Sequence, residues 1–262
     1  SSGTLPADYD QAARYGQVQA FGPASLTAFP AGAEQEASGA GIGIGVETAS
    51  WRADIGTTPT NFPVHYLVGG LKYSSALGPV DYALNFSRRA VTSSFISYAG
   101  AHDPVTGTVW GGVRSTGASL RLAHYERLWS TSLTSAYFRL TGENVLDNSQ
   151  VSVRATGNRT LLELPGMEFS AGAAVTYWRY AENLRHYTFG HGGYYSPQRY
   201  TSLVLPLEWT GTLARWSWLL RGGPSYSRSK EKTMPFYPND SGLQTAALGS
   251  PLPSGFSAPE YD

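Results

Sequence analysis

Val80-Asp81-Tyr82-Ala83-Leu84-Asn85-Phe86 puts Val80, Tyr82, Leu84 and Phe86 on one side of an extended chain and Asp81, Ala83 and Asn85 on the other. Successive side chains of a strand point to opposite faces, so a period of two marks a strand with one apolar and one polar face. The pattern recurs in Trp51–Ile55, Ala118–Leu122, Glu168–Tyr177, Leu203–Trp209 and Arg215–Arg221. Further strands are expected over Arg14–Phe21, Gly39–Glu47, His65–Ser74, Val91–Ser97, Val109–Ser115, Trp129–Leu140, Gln150–Ala155 and Tyr187–Tyr195. Apolar residues at helical spacing are scarce: Ala12–Arg14 and Tyr180–Leu184 suit a turn at most. The chain reads as all-β and antiparallel.

Two architectures use such strands. A soluble sandwich turns the apolar face to a core and the polar face to water. An outer-membrane barrel turns the apolar face to lipid and the polar face to a lumen. Several segments reach the roughly 9–11 residues of a tilted membrane span. Lys is nearly missing from the strands, where Ser, Thr, Asn, Gly and Arg stand instead. Aromatic residues crowd the strand ends, among them Tyr66, Trp110, Trp129, Tyr137, Tyr177, Trp178, Tyr194, Tyr200, Trp209, Trp216 and Trp218. Rings at both edges are what interfacial girdles need. The pattern favours an antiparallel transmembrane outer-membrane β-barrel.

Composition agrees. Of 262 residues, 15% are charged and 13% aromatic, against about 25% charged in an ordinary soluble domain. Lys plus Arg equals Asp plus Glu at 19 each, so no basic surface points to nucleic acid. Cysteine is absent, which removes thiol chemistry and cysteine-ligated metals. No run of about 18 apolar residues makes a membrane helix. Ser1–Thr4 has no charged and apolar leader pattern, so any secretion signal is expected upstream and the chain reads as a fragment. Three stretches follow: an N-terminal segment (1–37) with a first strand and loop, a barrel domain (38–237), and a Pro/Ser/Gly-rich loop or tail (238–262).

Catalytic and metal patterns are weak. Gly39-Ala40-Gly41-Ile42-Gly43-Ile44-Gly45 fits no nucleotide loop; its glycines share one strand face and suit close backbone approach. His65, His102, His124, His186 and His191 lack metal-ligand spacing. No G-x-S-x-G elbow occurs. Glu143, Asp147 and Asp103 read as turn residues, and Asn85, Asn158 and Asn239 as chance acceptor triplets. No cofactor or metal is expected.

A polar lumen remains. By alternation Arg52, Asp54, Asp81, Arg121, Glu168, Glu208, Arg215 and Arg221 fall on polar faces, joined by Trp178. Mixed charge with aromatic rings suits a neutral polysaccharide, whereas an anionic cargo would need excess Lys and Arg. A soluble carbohydrate-binding β-domain and a barrel-borne lipase or deacylase remain as alternatives.

The chain resembles the C-terminal domain family of cellulose synthase operon protein C. The resemblance is carried, in order, by Asp54–Pro59, Val68–Ser74, Ser87–Ser94, Ser97–Ala101, Val109–Val113, Leu140–Val145, His186–Gln198 and Met234–Tyr237. Gly192-Gly193-Tyr194-Tyr195-Ser196-Pro197-Gln198 is its most specific string. The resemblance implies a sixteen-stranded outer-membrane barrel that conducts β-1,4-glucan (cellulose) and has no catalysis of its own. It also implies upstream tetratricopeptide repeats that meet periplasmic and inner-membrane synthase subunits. The family's closing strands have no counterpart after Tyr237, so the chain is expected to be truncated at both ends.

Overall fold

The structure, a computed structural model, describes residues 2–4, 35–103, 106–249, 258, 260 and 261. β1 (Ser2–Thr4) pairs with β2 (Glu36–Ser38). β3 (Gly43–Glu47), β4 (Trp51–Thr57), β5 (Leu67–Leu77) and β6 (Val80–Ala90) follow. Helix α1 (Phe95–Ala99) and β7 (Ala101–His102) precede β8 (Val109–Tyr125), β9 (Trp129–Glu143), β10 (Asn148–Leu164) and β11 (Met167–Tyr180). β12 (Arg199–Val204), β13 (Leu207–Leu213), β14 (Trp216–Gly222) and β15 (Ser225–Lys230) complete the main sheet. β16 (Met234–Pro235), helix α2 (Ser241–Leu248) and β17 (Glu260–Tyr261) close the described chain.

The main sheet is an antiparallel meander in which each long strand pairs with the next. β11 pairs with both β12 and β13, which are two halves of one strand interrupted at Pro206. Proline has no N–H for a ladder. Its carbonyl still accepts from Gly172 N at 2.9 Å, and Leu205 N reaches Pro224 O at 3.0 Å, so pairing resumes beyond the break. β14 and β15 are halved likewise. Among the described residues the sheet is open: β3 at one edge and β14 with β15 at the other do not meet, and the expected sixteen strands are not reached.

Several strand boundaries differ from the pattern reading. Val109–Ser115 and Ala118–Leu122 are one strand, β8. Leu203–Trp209 is split by Pro206, and β15 was not anticipated. Val91–Ser97 is no strand: Ser94 and Ser97 form a reciprocal capping box that starts α1. Tyr187–Tyr195 is no strand either, because Gly190 (φ 97°) and Gly193 (φ 65°) take left-handed backbone that ends extended structure. The tail holds α2, and its β17 pairs with β16. Arg14–Phe21 and Ala12–Arg14 lie outside the described residues.

The register gives most strands of the main sheet one apolar and one polar face; in β15 Tyr226 shares its face with Arg228 and Lys230. Ile44 opposes Ile55, Leu71 opposes Phe86, Leu122 opposes Leu133, and Leu203 opposes Tyr226. This face is bare: Ile44 is 76% exposed, and Phe86 and Ile55 are each 57% exposed. Trp51, Tyr73, Trp129, Trp209 and Trp218 stand on it towards one end, and Tyr137, Tyr177 and Tyr226 towards the other. Two aromatic rows flanking an apolar band are the surface that a lipid bilayer solvates. Other strand-end aromatics do not belong to girdles. Trp110, Tyr66 and Tyr194 are buried under connecting segments, and Trp178 and Tyr200 occupy the polar face.

The two ends differ. Connections 48–50, 78–79, 126–128, 165–166 and 214–215 at one end have two or three residues. At the other end run 58–66, 91–108, 144–147 and 181–198, mostly long. The main buried core sits at this second end rather than beneath the sheet.

Candidate functional site

Arg52, Asp54 and Gly56 alternate along β4, so one polar face receives both charges. Opposite Asp54 in β5 stands Gly70. Its missing side chain opens a path: Arg89 of β6 crosses above it and holds both oxygens of Asp54, Nη2 to Oδ1 at 2.5 Å. A Cβ at Gly70 would lie 2.8 Å from Arg89 Nη2, so a side chain there would push the guanidinium out of this path. Further round, Asp81 faces Ala123, and Arg121 donates to the Tyr125 hydroxyl at 3.2 Å. Thr160 donates to Glu168 at 2.9 Å, and Arg221 clasps Glu208 at 2.6 Å. Exposed pairs of this kind contribute little to stability, because water screens them. Their effect is to set side-chain position and cancel local charge.

Trp178 and Tyr200 form the aromatic element of the face. They are directly opposed in β11 and β12, with ring centroids 4.1 Å apart and planes 13° apart. The indole Nε1–H of Trp178 is buried without a hydrogen bond in the described structure.

Eight of the nine residues expected on the polar face have that register: Arg52, Asp54, Asp81, Arg121, Glu168, Trp178, Glu208 and Arg221. They are spread over many strands and converge on no single point, as a lining would and a catalytic centre would not. Arg215 is displaced. It sits with Ala214 (φ 53°) in the turn between β13 and β14, because the strand starts only at Trp216. Arg215→Ala is expected to change stability by less than about 0.5 kcal/mol, measured by urea unfolding. Arg89 and Arg154 also occupy this face without having been singled out, and Tyr200, expected in a girdle, stands here instead. Continuing the alternation past Phe86 to Ala90 would have reached Arg89.

The long-connection end is a built structure. The Gly192–Gln198 string anchors it. Ser196 Oγ accepts from Leu184 N at 2.7 Å and donates to Tyr194 O at 3.1 Å. Gln198 Nε2 donates to Ser196 O at 2.9 Å, and its Oε1 accepts from Lys232 N at 2.7 Å. Asn148 ties the β9–β10 connection in, donating to Glu182 O and to the Tyr194 hydroxyl. Burial pushes the Tyr194 phenol well above its ordinary range and that of Tyr66 up to about 12. Trp110, Phe189, Phe236 and Tyr261 fill the centre, with the Tyr261 ring stacked on His186 at 3.7 Å. His191 is wholly buried and its Nε2–H donates to Pro235 O at 3.0 Å. Burial depresses its pKa from 6.5 to about 4.

Two of the carboxylates read as turn residues have local work. Asp103 accepts from Thr106 N and Oγ1 at 2.8 and 2.6 Å, and Asp147 pairs with Arg139 at 2.6 Å. Among the described residues no three His, Cys, Asp or Glu side chains gather into a metal site.

A family model described as "Cellulose synthase operon protein C C-terminus" matches residues 1–259. Cellulose synthase operon protein C of Salmonella typhimurium is 38% identical over 210 residues, covering 78% of this chain and 18% of that protein. That of Xanthomonas axonopodis pv. citri is 37% identical, covering 81% and 14%. Cellulose synthase 2 operon protein C of Komagataeibacter xylinus is 34% identical, covering 81% and 16%. The chain thus spans less than a fifth of these relatives. Among solved structures, a loop-deletion mutant of OmpT, an outer membrane protein of Vibrio cholerae, superposes with TM-score 0.43 at 12% identity. That superposition covers 88% of this chain and 70% of that one, and a likeness of this size supports no inference.

Proposed function

Given that this chain belongs to the cellulose synthase operon protein C C-terminal family, we propose that it is the wall of an outer-membrane channel through which a β-1,4-glucan leaves the periplasm. One observation supports this reading: a single continuous sheet with one bare apolar face and one charge-balanced, aromatic-bearing polar face. The short turns face the periplasm and the long connections the exterior, the usual asymmetry of such barrels.

On the polar face the paired Asp54–Arg89 and Glu208–Arg221 offer hydrogen bonds to sugar hydroxyls without a net field. Trp178 and Tyr200 offer ring faces to the flat, C–H-bearing face of a glucose unit. Such contacts are weak and repeated, as a conduit that must release its cargo requires. The part is non-catalytic and works alongside the periplasmic and inner-membrane synthase subunits. A soluble binding domain fits the sheet poorly, because it would leave the apolar band in water.

The test is block of single-channel conductance by cello-oligosaccharides, using the full-length protein in planar bilayers. Wild type should show concentration-dependent block. Trp178→Ala with Tyr200→Ala should weaken block roughly three- to tenfold, the value of one or two aromatic contacts, and leave the open conductance near wild type. Block unchanged in that variant, or no block of the wild type, would sink the glucan reading.

A further inference from the structure

The apolar face is not uniform. Between β5, β6, β8 and β9 it holds a groove of about 620 Å³, lined almost wholly by apolar atoms. Gly69, Thr116 and Ala118 form its floor, and Leu71, Phe86 and Tyr137 its sides. Small residues on adjacent strands leave the trough; the large neighbours wall it.

The groove has a charged head. Arg88, on the same face by register, lines its end nearest the long connections. Arg114 lies two positions beyond Thr116 on that face. Both guanidinium groups lie against the Tyr66 ring, at 6.0 and 5.6 Å from its centre. Among the described residues neither forms an ion pair, whereas Arg139 beside them is held by Asp147. Arg88 Nε is buried without a hydrogen bond. Two uncompensated cations at the rim of an apolar trough are complementary to one class of molecule: an anionic head on a hydrocarbon tail.

We propose that this groove binds a phosphate-bearing lipid, with an acyl chain along Gly69, Phe86 and Ala118 and a phosphate on Arg88 and Arg114. The proposal rests on the membrane reading above and its orientation, which puts the head in the outer leaflet. The lipid there is lipopolysaccharide, so the occupant is its phosphorylated lipid A part. Guanidinium forks bind phosphate oxygens in pairs, and rings at the interface pack beside the head. All four strands lie in the middle of the sheet, so the site does not depend on how the barrel closes.

The test uses full-length protein extracted from outer membranes and native mass spectrometry with added bis-phosphorylated lipid A, its dephosphorylated form, and phosphatidylglycerol. One retained lipid A is expected, displaced by neither of the others. Arg88→Gln with Arg114→Gln should weaken retention by about tenfold or more. Ala118→Phe, an apolar change that fills the trough, should do the same with both arginines intact. Wild-type retention in both variants would overturn the site, and equal binding of phosphatidylglycerol or the dephosphorylated form would overturn the assigned occupant. Glucan block is read separately on the same samples. Its loss with lipid retained counts against the conduit alone, while a protein absent from the membrane fraction overturns both.

Discussion

Replacing Leu120 with Arg is expected to destabilise the sheet in lipid by about 2–4 kcal/mol, the depth-dependent cost of a cation near the bilayer midplane. Leu120 opposes Leu84 and Ser135 in the middle of β8, on the bare apolar face. Ser119, its neighbour in sequence, points the other way, opposing Asn85 and Ala136. Ser119→Arg is therefore expected to cost less than about 1 kcal/mol, because the polar face admits charge. Urea unfolding of the full-length protein from lipid vesicles measures both. The contrast is the useful quantity, since adjacent residues share every local propensity and differ only in face. In a soluble protein Leu120→Arg at a 36% exposed position would be nearly harmless, so equal, small effects would defeat the membrane reading.

The second large effect is set by pH. His191 keeps its proton on Nε2 for the Pro235 carbonyl, and buried Nδ1 has no hydrogen-bond partner in the described structure. Facing it are the His186 ring at 5.2 Å and the Tyr261 ring at 5.5 Å, and among the described residues no carboxylate pairs with it to stabilise a second proton. The folded pKa of about 4 lies below the ordinary 6.5, so between those values the opened state binds more protons. Stability from neutral His191 is fully present above pH 6.5 and is lost as pH falls towards 4, about 3 kcal/mol in all. Hydrogen exchange should show amides of 186–198 and 234–237 losing protection across that window while β8 to β11 stay protected. His191→Gln should remove the step. An acid transition unchanged in that variant would assign it to another group.

Much of this was legible in the chain. Asp81, Asn85 and Arg121 were placed on the polar face because the period of two is a property of the local backbone, and it survives whatever the strands pair with. By register Arg52, Asp54, Glu168, Glu208 and Arg221 share one face, whereas Arg215 lies in a turn, which has no alternating faces. Tyr187–Tyr195 misled for a related reason: its aromatic and β-branched content suits a strand, but Gly190 and Gly193 turn the backbone into the left-handed region and the segment pairs with no strand of the main sheet.

What the sequence alone determined is the class: a sheet with two chemically opposite faces, and which side chains belong to each. The tertiary structure decided everything that depends on register between strands distant in the chain. It set Arg89 on Asp54 across Gly70, stacked Trp178 on Tyr200, and aligned Gly69 with Ala118 beneath Arg88. It also gathered His191, Trp110 and Tyr261 into one core at the long-connection end. Alternation repeats every two residues and carries no information about which strand lies alongside. Contacts between residues far apart in the chain are chosen by the packing of the whole sheet.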